Sequence, residues 1–135
     1  MLAQTNPTSV SLKNINILLV DDEPDILALF KKTLELEGYS TYGFLNPTAA
    51  FEHFKQNPRA YQIVVTDIRM PAMNGFQLSR KIRSISPDVK IVLMTGFEMS
   101  LDELKTVLPS LQVNGLIEKP ITLEKFRNTV RTAAK

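Results

Sequence analysis

The chain has 135 residues, 44% of them hydrophobic and 22% charged, which is the composition of one globular domain with a real core and argues against general disorder. It contains no cysteine, so a disulfide framework, a thiolate zinc site and a cysteine nucleophile are excluded, and the reducing cytoplasm is the expected compartment. The formal charge is only +2, yet residues 1–67 hold eight acids against five bases and residues 68–135 hold six against eleven. Four of the early acids, Asp21, Asp22, Glu23 and Asp25, fall in one short stretch.

Residues 1–13 are polar, contain Pro7 and show no periodicity, so they are predicted to form a flexible arm ahead of one domain over 14–135. The arm has neither the basic start nor the apolar stretch of a signal peptide, and no apolar run approaches the roughly 20 residues of a membrane span. Residues 15–20 (INILLV) are continuously apolar and rich in β-branched side chains, the pattern of a strand buried on both faces. Pro24 suits a first helical turn; Leu27, Phe30 and Leu34 follow at helical spacing, and Gly38 supplies the stop.

The alternation repeats along the chain. Residues 40–44 read as a short strand, and Asn46 and Pro47 open a helix carrying Ala50, Phe51 and Phe54 that ends at Asn57-Pro58. Residues 63–66 (IVVT) form a buried strand running into Asp67; Leu78, Ile82 and Ile85 mark the next helix, which stops near Pro87. A strand over 91–94 leads to Thr95-Gly96, and Ser100 and Glu103 make a capping box for a helix bearing Leu101, Leu104 and Leu108. A last strand over 115–118 ends at Lys119-Pro120, and Leu123, Phe126 and Val130 give the final helix its buried stripe. Five strands alternating with five helices predict an α/β fold, a parallel sheet with helices on both faces.

In such sheets ligands bind beyond the carboxyl ends of the strands, where strand order reverses. The polar residues just past the predicted strand ends are Asp21 and Asp22, Asp67, Thr95 and Lys119. Three crowded carboxylates disfavour one another's ionisation, and a hard divalent cation removes that cost. Oxygen ligands without His or Cys favour Mg²⁺ over zinc. A lysine and a hydroxyl beside the metal complete a socket for a tetrahedral phosphoryl group, in which one carboxylate can serve as nucleophile.

These residues carry a resemblance. Asp21-Asp22-Glu23-Pro24 after the first strand, Asp67 followed by Pro71 and Gly75 after the third, Thr95-Gly96 after the fourth and Lys119-Pro120 after the fifth are together similar to the receiver domain of two-component response regulators. The likeness covers about residues 14–133. It implies a flavodoxin-like, doubly wound five-stranded sheet of order 2-1-3-4-5, single-domain and like the chemotaxis regulators. It further implies that Asp67 accepts a phosphoryl group from the phosphohistidine of a sensor histidine kinase or histidine phosphotransfer protein. Mg²⁺ would be held by Asp22, Asp67 and the backbone carbonyl of Arg69, with Asp21 acting through a metal-bound water. Thr95 and Lys119 would contact phosphoryl oxygens, the Lys119-Pro120 bond would be cis, and phosphorylation would switch a face that binds a downstream protein or a second copy. Slow self-dephosphorylation would make it a timed switch and not a turnover enzyme.

Three positions depart from the family pattern: Leu116 replaces the usual switch aromatic, and Arg69 and Phe97 stand where the phosphoryl lifetime is tuned, implying a long-lived phosphoryl state. Competing readings are a Mg²⁺-dependent aspartyl-phosphate phosphatase, which would want an acid where Arg69 stands, and a degenerate receiver that only binds partners. The basic residues of the last helix, Lys125, Arg127, Arg131 and Lys135, are too spread to make a case for nucleic acid.

Overall fold

The computed structural model describes residues 15–96, 102 and 111–135. Five strands form one parallel sheet: β1 (Asn16–Val20), β2 (Ser40–Phe44), β3 (Ile63–Asp67), β4 (Lys90–Thr95) and β5 (Gly115–Glu118). Their order is β2-β1-β3-β4-β5, as the family resemblance implied, with the reversal of direction falling between β1 and β3. Four helices connect them among the described residues: α1 (Pro24–Leu36), α2 (Pro47–Gln56), α3 (Gly75–Ile85) and α4 (Leu123–Ala134). The helix expected to carry Leu101, Leu104 and Leu108 lies outside the described residues, apart from Asp102, which is helical. So does the arm over 1–13. Among the described residues no helix is long and apolar enough to cross a membrane.

The uninterrupted apolar strands follow from burial on both faces. Leu18, Val20, Val64, Ile91 and Leu93 point to one side and pack with Phe54 of α2 and Leu78 and Ile82 of α3. Their neighbours Ile17, Leu19, Val65, Val92 and Met94 point to the other side and meet Phe30 and Leu34 of α1 and Phe126 and Val130 of α4. On that second face the rings of Phe30 and Phe126 stack with centroids 4.2 Å apart. The period of two along each strand thus divides the core into two layers, each closed by a pair of helices.

Helix ends were partly visible in the sequence. Asn46 caps α2 as expected, its side chain accepting hydrogen bonds from the amides of Thr48 and Ala49 at 2.8 and 3.1 Å. Gly38 ends α1 with φ of 104°, a conformation open to glycine without a side-chain penalty. Helix α3 begins at Gly75, earlier than its first periodic leucine, because Asn74 and Gln77 form a reciprocal capping box. Thr122 similarly caps α4, accepting from the Lys125 amide at 3.1 Å.

Phe126 is fully buried and holds α4 to α1 through its ring stack. Phe126→Ala is expected to cost about 3–5 kcal/mol in urea unfolding at constant m-value. A loss below about 1 kcal/mol would mean that this face collapses around the cavity.

Candidate functional site

The strand register builds the site. Val20 lies beside Thr66, Asp67 beside Met94, and Thr95 beside Glu118, so the residues at the four strand ends converge on one rim. Backbone bonds extend the ladders past the strands and fix that rim. The Asp21 amide donates to the Phe44 carbonyl at 3.1 Å, that of Ile68 to Met94 at 3.0 Å, and that of Lys119 to Thr95 at 2.7 Å.

Asp21, Asp22 and Asp67 each place a carboxylate oxygen within 4.8 Å of the others. Asp67 is buried; its Oδ1 accepts from the Ile68 amide at 2.9 Å and its Oδ2 from Lys119 Nζ at 3.1 Å. Asp21 is buried completely, its Oδ1 accepting from the Glu23 amide at 2.9 Å while its Oδ2 has no partner among the described residues. It therefore does not cap α1; Glu23 occupies the N-cap position and makes no side-chain cap bond. An open pocket of about 540 Å³ in front of these groups is lined by Asp22, Glu23, Asp67, Arg69, Gly96 and Lys119.

Electrostatics record the crowding. Burial, reinforced by the neighbouring Asp67 charge, pushes the Asp21 carboxyl up to about 6, although the Glu23 amide pulls the other way. Lys119 responds oppositely. Its burial would lower the ammonium pKa, but the hydrogen bond and charge of Asp67, with Asp21 and Glu23 behind, outweigh that and raise it. One ammonium thus faces three carboxylates across a few ångströms. The chemistry of the donor set, oxygen only, and the orphaned Asp21 Oδ2 both fit a hard divalent cation.

Of the residues singled out from sequence, Asp21, Asp22, Asp67 and Lys119 come together and Arg69 lines the pocket. Thr95 is buried at the end of β4, and Gly96 takes the place beside it on the pocket wall. The Lys119-Pro120 bond is cis. Leu116 is half-buried against the α2 and α3 layer, and Phe97 lies outside the described residues. Glu23, Gly75 and Gly96 belong to the motifs that carry the resemblance, but their places, Glu23 and Gly96 on the pocket wall and Gly75 seated against Asp67, come from the structure. A β-carbon at Gly75 would stand 2.4 Å from the Asp67 carbonyl oxygen and 2.9 Å from Ile68 Cα. Only glycine lets the start of α3 lie under the Asp67 backbone, where the Gly75 amide also donates to the Ile68 carbonyl at 2.8 Å.

The chain belongs to the response regulator receiver domain family, which it matches over residues 17–131. It is 40% identical over 81 residues to the response regulator receiver protein CpdR of Brucella abortus, covering 60% of this chain and 66% of that protein. It is 30% identical over 115 residues to the sensor kinase CckA of the same organism, covering 85% of this chain and 12% of CckA. The chain thus spans less than two thirds of the length of either relative. Among solved structures, the response regulator TrrA of Thermotoga maritima in complex with Mg²⁺-BeF superposes with a TM-score of 0.75 at 29% identity, covering 88% of this chain and 98% of that one.

The raised Asp21 value has a testable consequence. A carboxyl whose pKa rises from 3.8 to about 6 on folding binds its proton more tightly in the native state, so its contribution to stability is greatest below pH 3.8 and is lost as pH rises to about 6. With divalent cations chelated, Asp21→Asn is expected to stabilise the protein by about 1–3 kcal/mol at pH 7 and by much less near pH 4, measured by urea unfolding. Equal or lower stability of the variant at pH 7 would contradict this reading of the cluster.

Proposed function

We propose that this receiver accepts a phosphoryl group on Asp67 from the phosphohistidine of a sensor histidine kinase or histidine phosphotransfer protein and switches a protein-binding face in response. The observation that carries the reading is the placement of Asp67: buried, bound by Lys119 at 3.1 Å, and within 4.8 Å of two further carboxylates at the mouth of an open pocket. Asp21, Asp22, Asp67 and the backbone carbonyl of Arg69 are the groups that would hold Mg²⁺, which when bound offsets the carboxylate repulsion and the negative charge of the arriving phosphoryl group.

In this reading a carboxylate oxygen of Asp67 attacks phosphorus. A P–O bond forms, the P–N bond breaks, and its electron pair stays on the imidazole of the donor, which then takes a proton from solvent. Lys119 releases part of its hold on the carboxylate to pair with a phosphoryl oxygen, and the Thr95 hydroxyl donates to another. Arg69, exposed on the pocket wall, can reach the same group and slow its loss to water. The acyl phosphate carries about −1.5 to −2 charge where the carboxylate carried one, and this added negative charge at the rim biases the surrounding loops toward a second arrangement. The chain is then a phosphoacceptor switch, with slow self-dephosphorylation in place of turnover. The compartment we propose for this relay is the cytoplasm. A phosphatase of the aspartyl-phosphate type is disfavoured because Arg69 occupies the place of its second acid.

Incubation with a small acyl phosphate and Mg²⁺, followed by intact-mass spectrometry, is expected to add one phosphoryl group to the wild type and none to Asp67→Asn. No gain in the wild type, or an equal gain in the variant, would remove Asp67 from the role of acceptor. In a companion time course Arg69→Asn is expected to shorten the phosphoryl half-life several-fold, and an unchanged or longer half-life would count against its shielding role.

A further inference from the structure

Strand β2 is an edge of the sheet, pairing with β1 alone among the described residues. The Ser40 amide donates to the Ile15 carbonyl and the Phe44 carbonyl accepts from the Asp21 amide, so the even-numbered residues of β2 turn their backbone groups toward β1. By the alternation of a strand, Thr41 and Gly43 turn theirs outward. Natural edge strands are usually blunted by charge, proline or a bulge. The segment Ser40–Phe44 (STYGF) has none of these in its sequence, and Tyr42 at its centre is 50% exposed. A groove of about 580 Å³ runs along this edge, with Lys31 and Glu35 of α1 on one side and Phe44 and His53 on the other.

We infer that this edge is an interface for a second copy of the chain, formed by antiparallel pairing of the two β2 strands about a two-fold axis at Tyr42. The occupant follows from self-complementarity. Placing Thr41 opposite Gly43 of the second copy, and Gly43 opposite its Thr41, satisfies all four outward backbone groups on each strand in four hydrogen bonds. A register shifted by one residue leaves some of them unpaired. The two Tyr42 side chains then stand directly opposite each other on one face, where aromatic pairs stabilise a sheet. On the other face the two α1 helices run antiparallel, so Lys31 of one copy approaches Glu35 of the other. Within one chain these two already pair at 2.8 Å. The phosphoacceptor pockets sit at the carboxyl ends of the strands and so lie at opposite ends of the ten-stranded sheet, both open. The interface depends on β2 and not on the phosphorylation proposed above.

The chain has no cysteine, so a single introduced thiol reports on the axis without background. Opposed residues of a non-hydrogen-bonded antiparallel pair have Cα atoms about 4.5 Å apart, within reach of a disulfide. The full chain would be followed by sedimentation equilibrium up to about 1 mM, since one short edge gives a weak association. The expected result is a monomer–dimer equilibrium that Tyr42→Lys weakens at least about tenfold through opposed like charges, with circular dichroism unchanged. Asp67→Asn is expected to leave it intact. Under mild oxidation Tyr42→Cys is expected to form a linked dimer faster than Leu36→Cys, which lies 78% exposed at the end of α1. A wild type that stays monomeric, as it would if the edge receives a strand from a different protein, overturns the inference. So does a dimer indifferent to Tyr42→Lys, a dimer lost in Asp67→Asn, or linkage of Tyr42→Cys no faster than that of Leu36→Cys.

Discussion

Three carboxylates crowd one end of the parallel sheet, with Lys119 bonded to one of them, and that crowding governs what the rim can do. Water would keep Asp21, Asp22 and Asp67 apart, and the fold removes that water: Asp21 is wholly buried and Asp67 nearly so. A buried charge without a partner is expensive, and the cost is legible in the raised Asp21 carboxyl, whereas the neighbouring carboxylates hold the proton of Lys119 more tightly. Lys119 bonds one oxygen of Asp67 and the Ile68 amide the other, while Asp21 Oδ2 has no partner among the described residues. Such a site is poised to take up positive charge and then to trade some of it for a new anion.

Holding that arrangement requires a rigid frame, and the two-layer core supplies it. Each strand end that delivers a functional residue is anchored by apolar residues alternating to both faces immediately before it: Leu19 and Val20 before Asp21, Val64 and Val65 before Asp67, Leu93 and Met94 before Thr95. The inter-strand bonds that continue past the strands, from Asp21 to Phe44 and from Lys119 to Thr95, set the spacing of the rim. Gly75 adds a steric condition, because α3 can approach the Asp67 carbonyl only without a side chain. Asp67 thus sits in a frame set by these backbone bonds and by the close seat of Gly75.

Much of this was legible in the sequence because buried parallel strands are continuous apolar runs, and a polar residue that ends such a run must sit at the sheet's rim. That rule alone located Asp21, Asp67 and Thr95, and the spacing of Pro24, Gly38, Asn46 and Pro47 located two helices. What escaped was of a different physical kind. The capping box at Asn74 and Gln77 is hidden in a polar loop with no apolar periodicity to frame it, so the start of α3 appeared later than it is. Gly96 and Glu23 reach the pocket wall by chain direction after a strand, which residue type does not encode. The tight seat of Gly75 is a contact between distant backbone segments, visible only once α3 lies beneath β3. That β2 forms an uncharged edge required the strand order, which local pattern does not supply.

A carboxylate cluster of this kind is expected to be neutralised by a hard divalent cation, and thermal unfolding against Mg²⁺ concentration at pH 7.5 reads that neutralisation. A ligand that binds the native state alone stabilises it by about 2.7 kcal/mol at a hundred times its dissociation constant. The wild-type Tm is expected to climb steadily with the logarithm of Mg²⁺ concentration, and Asp22→Asn and Asp67→Asn are each expected to flatten the climb. A wild-type Tm indifferent to Mg²⁺, or an equal climb in both variants, would contradict it.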